Sequence, residues 1–153
     1  MTMNEKICLI IDTDPGQDDA AAILAAHGLA RRGLVDFLGM TVVAGNVGMA
    51  LTAKNARIVC DWAGEEDFPV YAGAVKPLLR ELETAEAVHG KTGLDGTALH
   101  EPRCPLQKQH AVAYLVETLS RAEDASMTVC PIGPLTNIAL ALSIAPEAVR
   151  AIK

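Results

Sequence analysis

The sequence predicts an α/β fold, a mostly parallel sheet flanked by helices, in one domain over residues 1–153. Three observations carry that prediction. Strand-like and helix-like segments alternate along the chain, the pattern of layered α/β architectures. The strand-like runs are apolar at consecutive positions, as in strands covered on both faces. Aromatic residues make up only 3% of a chain that is 50% hydrophobic. The core is therefore to be built from Ala, Val, Ile and Leu, which suits helix-on-sheet layers.

Lys6–Ile11 (KICLII) is the first apolar run and reads as a buried strand, broken by Asp12–Gly16. Gln17 to Arg32 is rich in Ala and Leu and reads as a helix closed by Gly33. Leu34–Val43 is the second strand, Ala44-Gly45-Asn46 a loop, and Met49–Ala63 the second helix. Phe68–Tyr71 is a short third strand. From Ala72 to about Leu106 the chain carries Gly73, Pro77, Gly90, Gly93, Gly96, Pro102 and Pro105 and reads as irregular. A loop of that length in a compact domain usually has a function, for example as a lid. Gln107–Ala122 has a helical pattern, Ser126–Cys130 is the fourth strand, and Pro131-Ile132-Gly133-Pro134 is a turn. Helices are expected at Leu135–Leu142 and Pro146–Ile152. Ligands of such sheets bind beyond the carboxyl ends of the strands. Three of those ends carry polar residues that can share one crevice: Asp12–Asp19, Asn46 and Pro131–Asn137.

The net charge is −6 and no basic run of five residues occurs. That argues against a nucleic-acid partner, while concentrated negative charge fits a cation site. Cys8, Cys60, Cys104 and Cys130 form no Cys-x-x-Cys pair and no zinc-like cluster, and are expected to be buried reduced thiols. No secretory signal pattern is visible at the N-terminus and no apolar run approaches the ~20 residues that span a bilayer. A cytoplasmic protein without a membrane partner is the expectation.

Asp12, Asp14, Asp18 and Asp19 place four carboxylates within eight residues, directly after an apolar strand. Each alone has an ordinary account: Asp18 and Asp19 suit the first turn of a helix, and Asp12 a strand end. Together they repel, and a bound cation relieves that cost. Calcium and magnesium take oxygen ligands of this kind. Pro15-Gly16 lets the chain turn so that residues on both sides face one spot. An EF-hand loop would need Gly and Glu where Gln17 and Ile23 stand, which excludes it. A magnesium-dependent phosphatase of the haloacid-dehalogenase type would use Asp12 as nucleophile and Asp14 as acid/base. Gly16 stands where that pattern usually has Thr, and Asp18-Asp19 is left without a role.

The string IIDTDPGQDDAAAIL resembles the N-terminal signature of the inosine-uridine-preferring nucleoside hydrolases. TVVAGN at Thr41–Asn46, HGKTGLDG at His89–Gly96 and CPIGPLTNIALAL at Cys130–Leu142 are similar to further segments of that family, in family order. The resemblance implies a Rossmann-like core and calcium-dependent hydrolysis of the N-glycosidic bond of ribonucleosides to ribose and free base. It implies that Asp14 ligates Ca2+ and takes the proton of the attacking water. Asp19 and the main-chain carbonyl of Ile132 would be further calcium ligands. Asp18 would accept from a ribose hydroxyl, Asn46 would orient ribose and water, and Asp12 would support the site from behind. His89 is a candidate to assist the leaving base, and equally an ordinary loop histidine. His27, His100 and His110 are expected to serve solubility or packing, and Thr136 and Asn137 to cap or brace the helix after the turn.

Members of that family are roughly twice this length. The resemblance covers their N-terminal half, and the family's later calcium-binding Asp, its adjacent His, and the Asn and Glu that grip ribose are not in the chain. The fold is thus expected to be truncated, with a sheet edge and apolar helix faces exposed. A fragment of a hydrolase, and a short calcium- or ribose-binding remnant without catalysis, are both consistent with this. A full-length form is expected to be a homo-oligomer, dimer or tetramer. Base preference is expected to reside in the His89–Gly96 loop and the later half.

Overall fold

The computed structural model describes residues 6–153. Four strands form one sheet: β1 (Ile7–Thr13), β2 (Val35–Val42), β3 (Val70–Ala72) and β4 (Met127–Pro131). Their order is β3-β2-β1-β4 and every neighbouring pair is parallel. Helices α1 (Gln17–Arg31), α2 (Met49–Ala63), α3 (Glu86–His89), α4 (Ala111–Arg121) and α5 (Thr136–Ile144) connect and cover them, with a short 3-10 helix at Pro146–Ala151. No helix among the described residues is long and apolar enough to cross a membrane.

β1 lies inside the sheet, as its unbroken apolar run requires. Side chains alternate across a strand, so Ile11 and Ile10 enter opposite layers. Ile11 packs with Ile23, Ala26, Met40, Ala56 and Val59 under α1 and α2. Ile10 packs with Val112, Leu115, Leu119, Met127 and Ala141 under α4 and α5. The strand order runs outward from β1 through β2 to β3, then returns to place β4 on the other side of β1. The carboxyl ends of β1 and β4 therefore flank a topological switch point, where crevices open in such sheets.

Several element boundaries differ from the sequence expectation. The third strand is Val70–Ala72, because Pro69 has no N–H and contributes only its carbonyl, which accepts from Met40 N at 3.0 Å. Phe68 instead packs against His27 and Phe37, with ring centroids 4.6 and 4.5 Å away. The helix expected from Gln107 starts at Ala111. Leu106 bridges to Val70, Gln107 N donates to Val70 O at 2.9 Å, and His110 Nδ1 accepts from Val112 N as the helix cap. The last segment is 3-10 rather than α-helical. Residues 73–105 are irregular apart from the single turn of α3. Cys60 and Cys104 are buried free thiols, but Cys8 and Cys130 are only half-buried, since β4 is an outer strand.

Ile152 forms an isolated parallel bridge with Met127 on the outer side of β4, and Lys153 N donates to Met127 O at 2.8 Å. Leu135 and Ile144 of the adjoining α5 region are 59% and 66% exposed.

Candidate functional site

The site is built on the ends of β1, β2 and β4 and the start of α1. Asp12 pairs in register with Thr41 of β2 on one side and Pro131 of β4 on the other. It is fully buried. Its Oδ1 accepts from Thr41 Oγ1 at 2.6 Å and from Asn137 Nδ2 at 2.8 Å. Its Oδ2 has no hydrogen-bond partner among the described residues. Burial pushes its carboxyl up to about 6, against the two hydrogen bonds that favour the charged form. This geometry weighs against the phosphatase reading: Asp12 has no exposed surface and is held between Thr41 and Asn137.

Asp14 leaves the strand and enters the crevice, 5% exposed. Asn46 holds it twice. The Asn46 backbone N–H donates to Asp14 Oδ2 at 2.7 Å and its Nδ2 donates to Asp14 O at 2.9 Å. Two glycines complete the mould. A Cβ on Gly45 would overlap Asp14 Oδ2, and one on Gly133 would lie 2.8 Å from Oδ1. Burial raises the Asp14 carboxyl to about 7, opposed by the Asn46 N–H, and the charges of Asp19 and Asp18 raise it further.

Asp19 sits in the first turn of α1 and is 4% exposed. Its Oδ1 accepts from Thr13 Oγ1 at 2.6 Å, and its Oδ2 from Gly16 N at 3.2 Å and Asn46 Nδ2 at 3.3 Å. The Gly16 contact caps the helix, which is the ordinary role of an early acidic residue. Asn46 therefore bridges the two buried carboxylates. Asp18 points away from this pocket into solvent, 81% exposed at its side chain, with Oδ1 4.0 Å from His89 Nδ1. Ile132 follows β4 directly, and its N–H donates to Asp12 O at 2.8 Å. His89 ends α3, and its ring covers Gly16. Hydrogen bonds thus join Asp14, Asp19 and Asn46 into one cluster, with Asp12 held separately behind it by Thr41 and Asn137, Ile132 and His89 at its rim and Asp18 outside it.

The carboxylate oxygens gathered here are the kind hard divalent cations take. The unpartnered Asp12 oxygen and the raised Asp14 carboxyl mark uncompensated negative charge that a cation would relieve. Among the described residues, however, no group of three or more His, Cys, Asp or Glu could hold a metal ion. The set fits such an ion in chemistry and supplies two carboxylates, Asp14 and Asp19, toward it.

Of the two roles expected for Asn137, cap or brace, it takes the second. The residue at the cap, Leu135, makes no side-chain cap bond. Asn137 is fully buried. It donates to Asp12 Oδ1 and to Val42 O (3.0 Å) and accepts from Ala74 N at 2.8 Å. Asn55 of α2, which sequence reasoning passed over, is likewise buried and donates to Pro15 O at 3.1 Å and Thr92 O at 2.8 Å. It joins the aspartate turn to the glycine-flanked loop. The sequence signal for it was an amide set among Ala53, Ala56, Ile58 and Val59 of a largely apolar helix.

Comparison with known proteins agrees with this arrangement. The sequence profile described as inosine-uridine preferring nucleoside hydrolase matches residues 9–153. An uncharacterised protein of Schizosaccharomyces pombe is 48% identical over 145 residues, covering 95% of this chain and 46% of that protein. The pyrimidine-specific ribonucleoside hydrolase RihB of Escherichia coli is 42% identical over 142 residues, 93% of this chain and 44% of RihB. Among solved structures, a plant nucleoside hydrolase superposes with a TM-score of 0.81 at 33% identity, over 95% of this chain and 45% of that one. A purine-preferring ribonucleoside hydrolase from Gardnerella vaginalis gives 0.82 at 27% identity, over 95% and 46%. The chain spans a little under half the length of the curated relatives it matches. With a buried Asp-Asn-Asp cluster at the switch point of a parallel sheet and a family profile along nearly all its length, the chain belongs to the inosine-uridine preferring nucleoside hydrolases.

Proposed function

We propose that this chain is the N-terminal half of a nucleoside hydrolase domain, carrying the carboxylates of a ribonucleoside N-glycosidase site. The observation that carries the reading is Asp14, held in a two-glycine mould and fixed by Asn46, which also bonds Asp19. A carboxylate fixed in this way is suited to accept a proton from a water bound beside it. Cleavage of the bond to the base develops positive charge on the sugar ring, and the cluster of Asp14, Asp19 and Asp12 supplies opposing negative charge from a buried position. Asn46 fixes both carboxylates, so no reorganisation is needed as that charge appears.

Calcium is the ion this reading assigns to Asp14, Asp19 and the Ile132 carbonyl; when bound it offsets their repulsion and polarises water and sugar hydroxyls. The reading assigns Asp18, which stands outside the cluster with its Oδ1 4.0 Å from His89 Nδ1, to a ribose hydroxyl, and His89 to the departing base. RihB is named pyrimidine-specific and the Gardnerella enzyme purine-preferring; the reading locates base choice in the His89–Gly96 loop and the half beyond this chain.

The test is release of hypoxanthine from inosine or uracil from uridine, with and without calcium, by this chain and by a form extended to the length of its relatives. Asp14→Ala is expected to lower the rate of the active form by two or more orders of magnitude. Unchanged release in that variant overturns the role of Asp14. Calcium or ribose binding without turnover in any form would instead identify a non-catalytic remnant.

A further inference from the structure

Gln17 is the first residue of α1, and its exposed side chain makes three polar contacts, all to the segment around the glycine-flanked loop. Its Nε2 donates to the carbonyl oxygens of His89 and Asp95, both at 3.3 Å. Its Oε1 lies 2.6 Å from His89 Nδ1. These partners fix the orientation of the amide, because turning it over would set its oxygen against two carbonyl oxygens. An amide oxygen can only accept, so the proton in the short contact belongs to His89 Nδ1.

The ring has little freedom to escape this arrangement. Its side chain is 14% exposed, and Asp18 Oδ1, the other acceptor near Nδ1, is 4.0 Å away. It lies so close over Gly16 that a Cβ there would sit 2.5 Å from Nδ1 and 2.8 Å from Cε1. Gly16 thus makes room for the imidazole and Gln17 dictates which nitrogen carries the proton.

We propose that Gln17 is a positioning residue that holds neutral His89 as its Nδ1–H tautomer, leaving Nε2 as the nitrogen that gains and releases the exchangeable proton. Unrestrained histidine side chains favour the opposite, Nε2–H, form. A ring locked this way is aligned to deliver a proton along the Nε2 direction once protonated, without rotating or exchanging tautomers. The consequence for base departure rests on the reading of the site given above; the tautomer itself does not.

The experiment is 15N nuclear magnetic resonance of the labelled 153-residue chain at about pH 8. Two-bond proton–nitrogen correlations report which ring nitrogen is protonated, and the His89 signals are assigned by their loss in His89→Asn. The expected result is a protonated Nδ1 and a bare Nε2 in the unmodified chain. Gln17→Leu is expected to shift His89 to the Nε2–H form. Gln17→Glu keeps an acceptor for Nδ1 while losing both donors to the loop, and is expected to retain Nδ1–H; this separates setting the tautomer from merely fastening the loop. A protonated Nε2 in the unmodified chain, an unaltered pattern in Gln17→Leu, or the same change in both variants overturns the proposal. Absence of nucleoside hydrolysis with the tautomer intact would overturn the reading of the site and leave the positioning role standing.

Discussion

Asn137 Nδ2 donates to Asp12 Oδ1 at 2.8 Å across 125 residues of sequence. Through its other bonds to Val42 O and Ala74 N, one amide fastens the ends of β1 and β2, the chain after β3, and the start of α5. Replacing Asn137 by Leu keeps the bulk and removes every bond, leaving a buried carboxylate short of a donor and two backbone groups unpaired. The expected loss is about 3 kcal/mol, read as a lower midpoint in urea denaturation. Asn137→Asp sets a second carboxylate against Asp12. Its folded-state carboxyls are raised, so its stability is expected to be best in acid and to fall as pH rises.

Asp12 itself is an acid whose burial lifts it to about 6, above its unfolded value near 3.9. Its contribution to stability is therefore full below about pH 4 and is lost as pH rises toward 6 and beyond. Asp12→Asn removes that loss and lets the oxygen still accept from Thr41 and Asn137. In calcium-free buffer at pH 8 the variant is expected to melt at or above the temperature of the unmodified chain. At pH 4 the advantage should disappear. A variant that melts several degrees lower at pH 8 would show that the ionised carboxylate stabilises the fold.

Gly45 tests the mould around Asp14. Its backbone is not in the left-handed region, so alanine there meets no conformational penalty, only the Asp14 carboxylate. Gly45→Ala is expected to displace Asp14, cost about 1–3 kcal/mol and weaken calcium binding at least tenfold by titration calorimetry. Equal calcium affinity in the variant would remove Asp14 from the proposed ligands.

Asp61 is a buried acid away from the site. Burial raises its carboxyl, and donors from Arg103 N, His100 Nε2 and Cys104 N, each 2.8–3.0 Å away, outweigh that and hold it below the usual range. Its stabilisation is present above the unfolded value near 3.9 and is lost as pH falls through the lowered folded value. Asp61→Ala is expected to destabilise by about 2–3 kcal/mol at pH 7, and the gap to the unmodified chain should narrow in strong acid.

The parts of the fold legible in the sequence were those decided locally. β1, α1 and α2 follow from apolar and Ala/Leu-rich runs and, for α1, from Gly33 just past its end. The start of α4 was misplaced because Leu106 and Gln107 are drawn into extended pairing with Val70, a partner far away in sequence. The aspartate cluster was visible as four charges that had to share a purpose. What holds it was not: Thr41, Asn55 and Asn137 are ordinary polar residues until partners 29, 40 and 125 positions away bury them. Asp18 and Asp19 are adjacent in sequence, but the helix turns one outward and the other into the pocket.

The strand order also sets a timetable. β1 and β2 pair across one helix, whereas β4 reaches β1 only after the chain has passed through β3 and α4. Loops of greater length close more slowly. Refolding is therefore expected to form the β1–β2 pair early, and to complete the wall that Gly133 places against Asp14 only when β4 docks. Calcium added to a refolding chain should leave the first phase unchanged and act on the last, so that capture of the ion becomes a clock for the final strand.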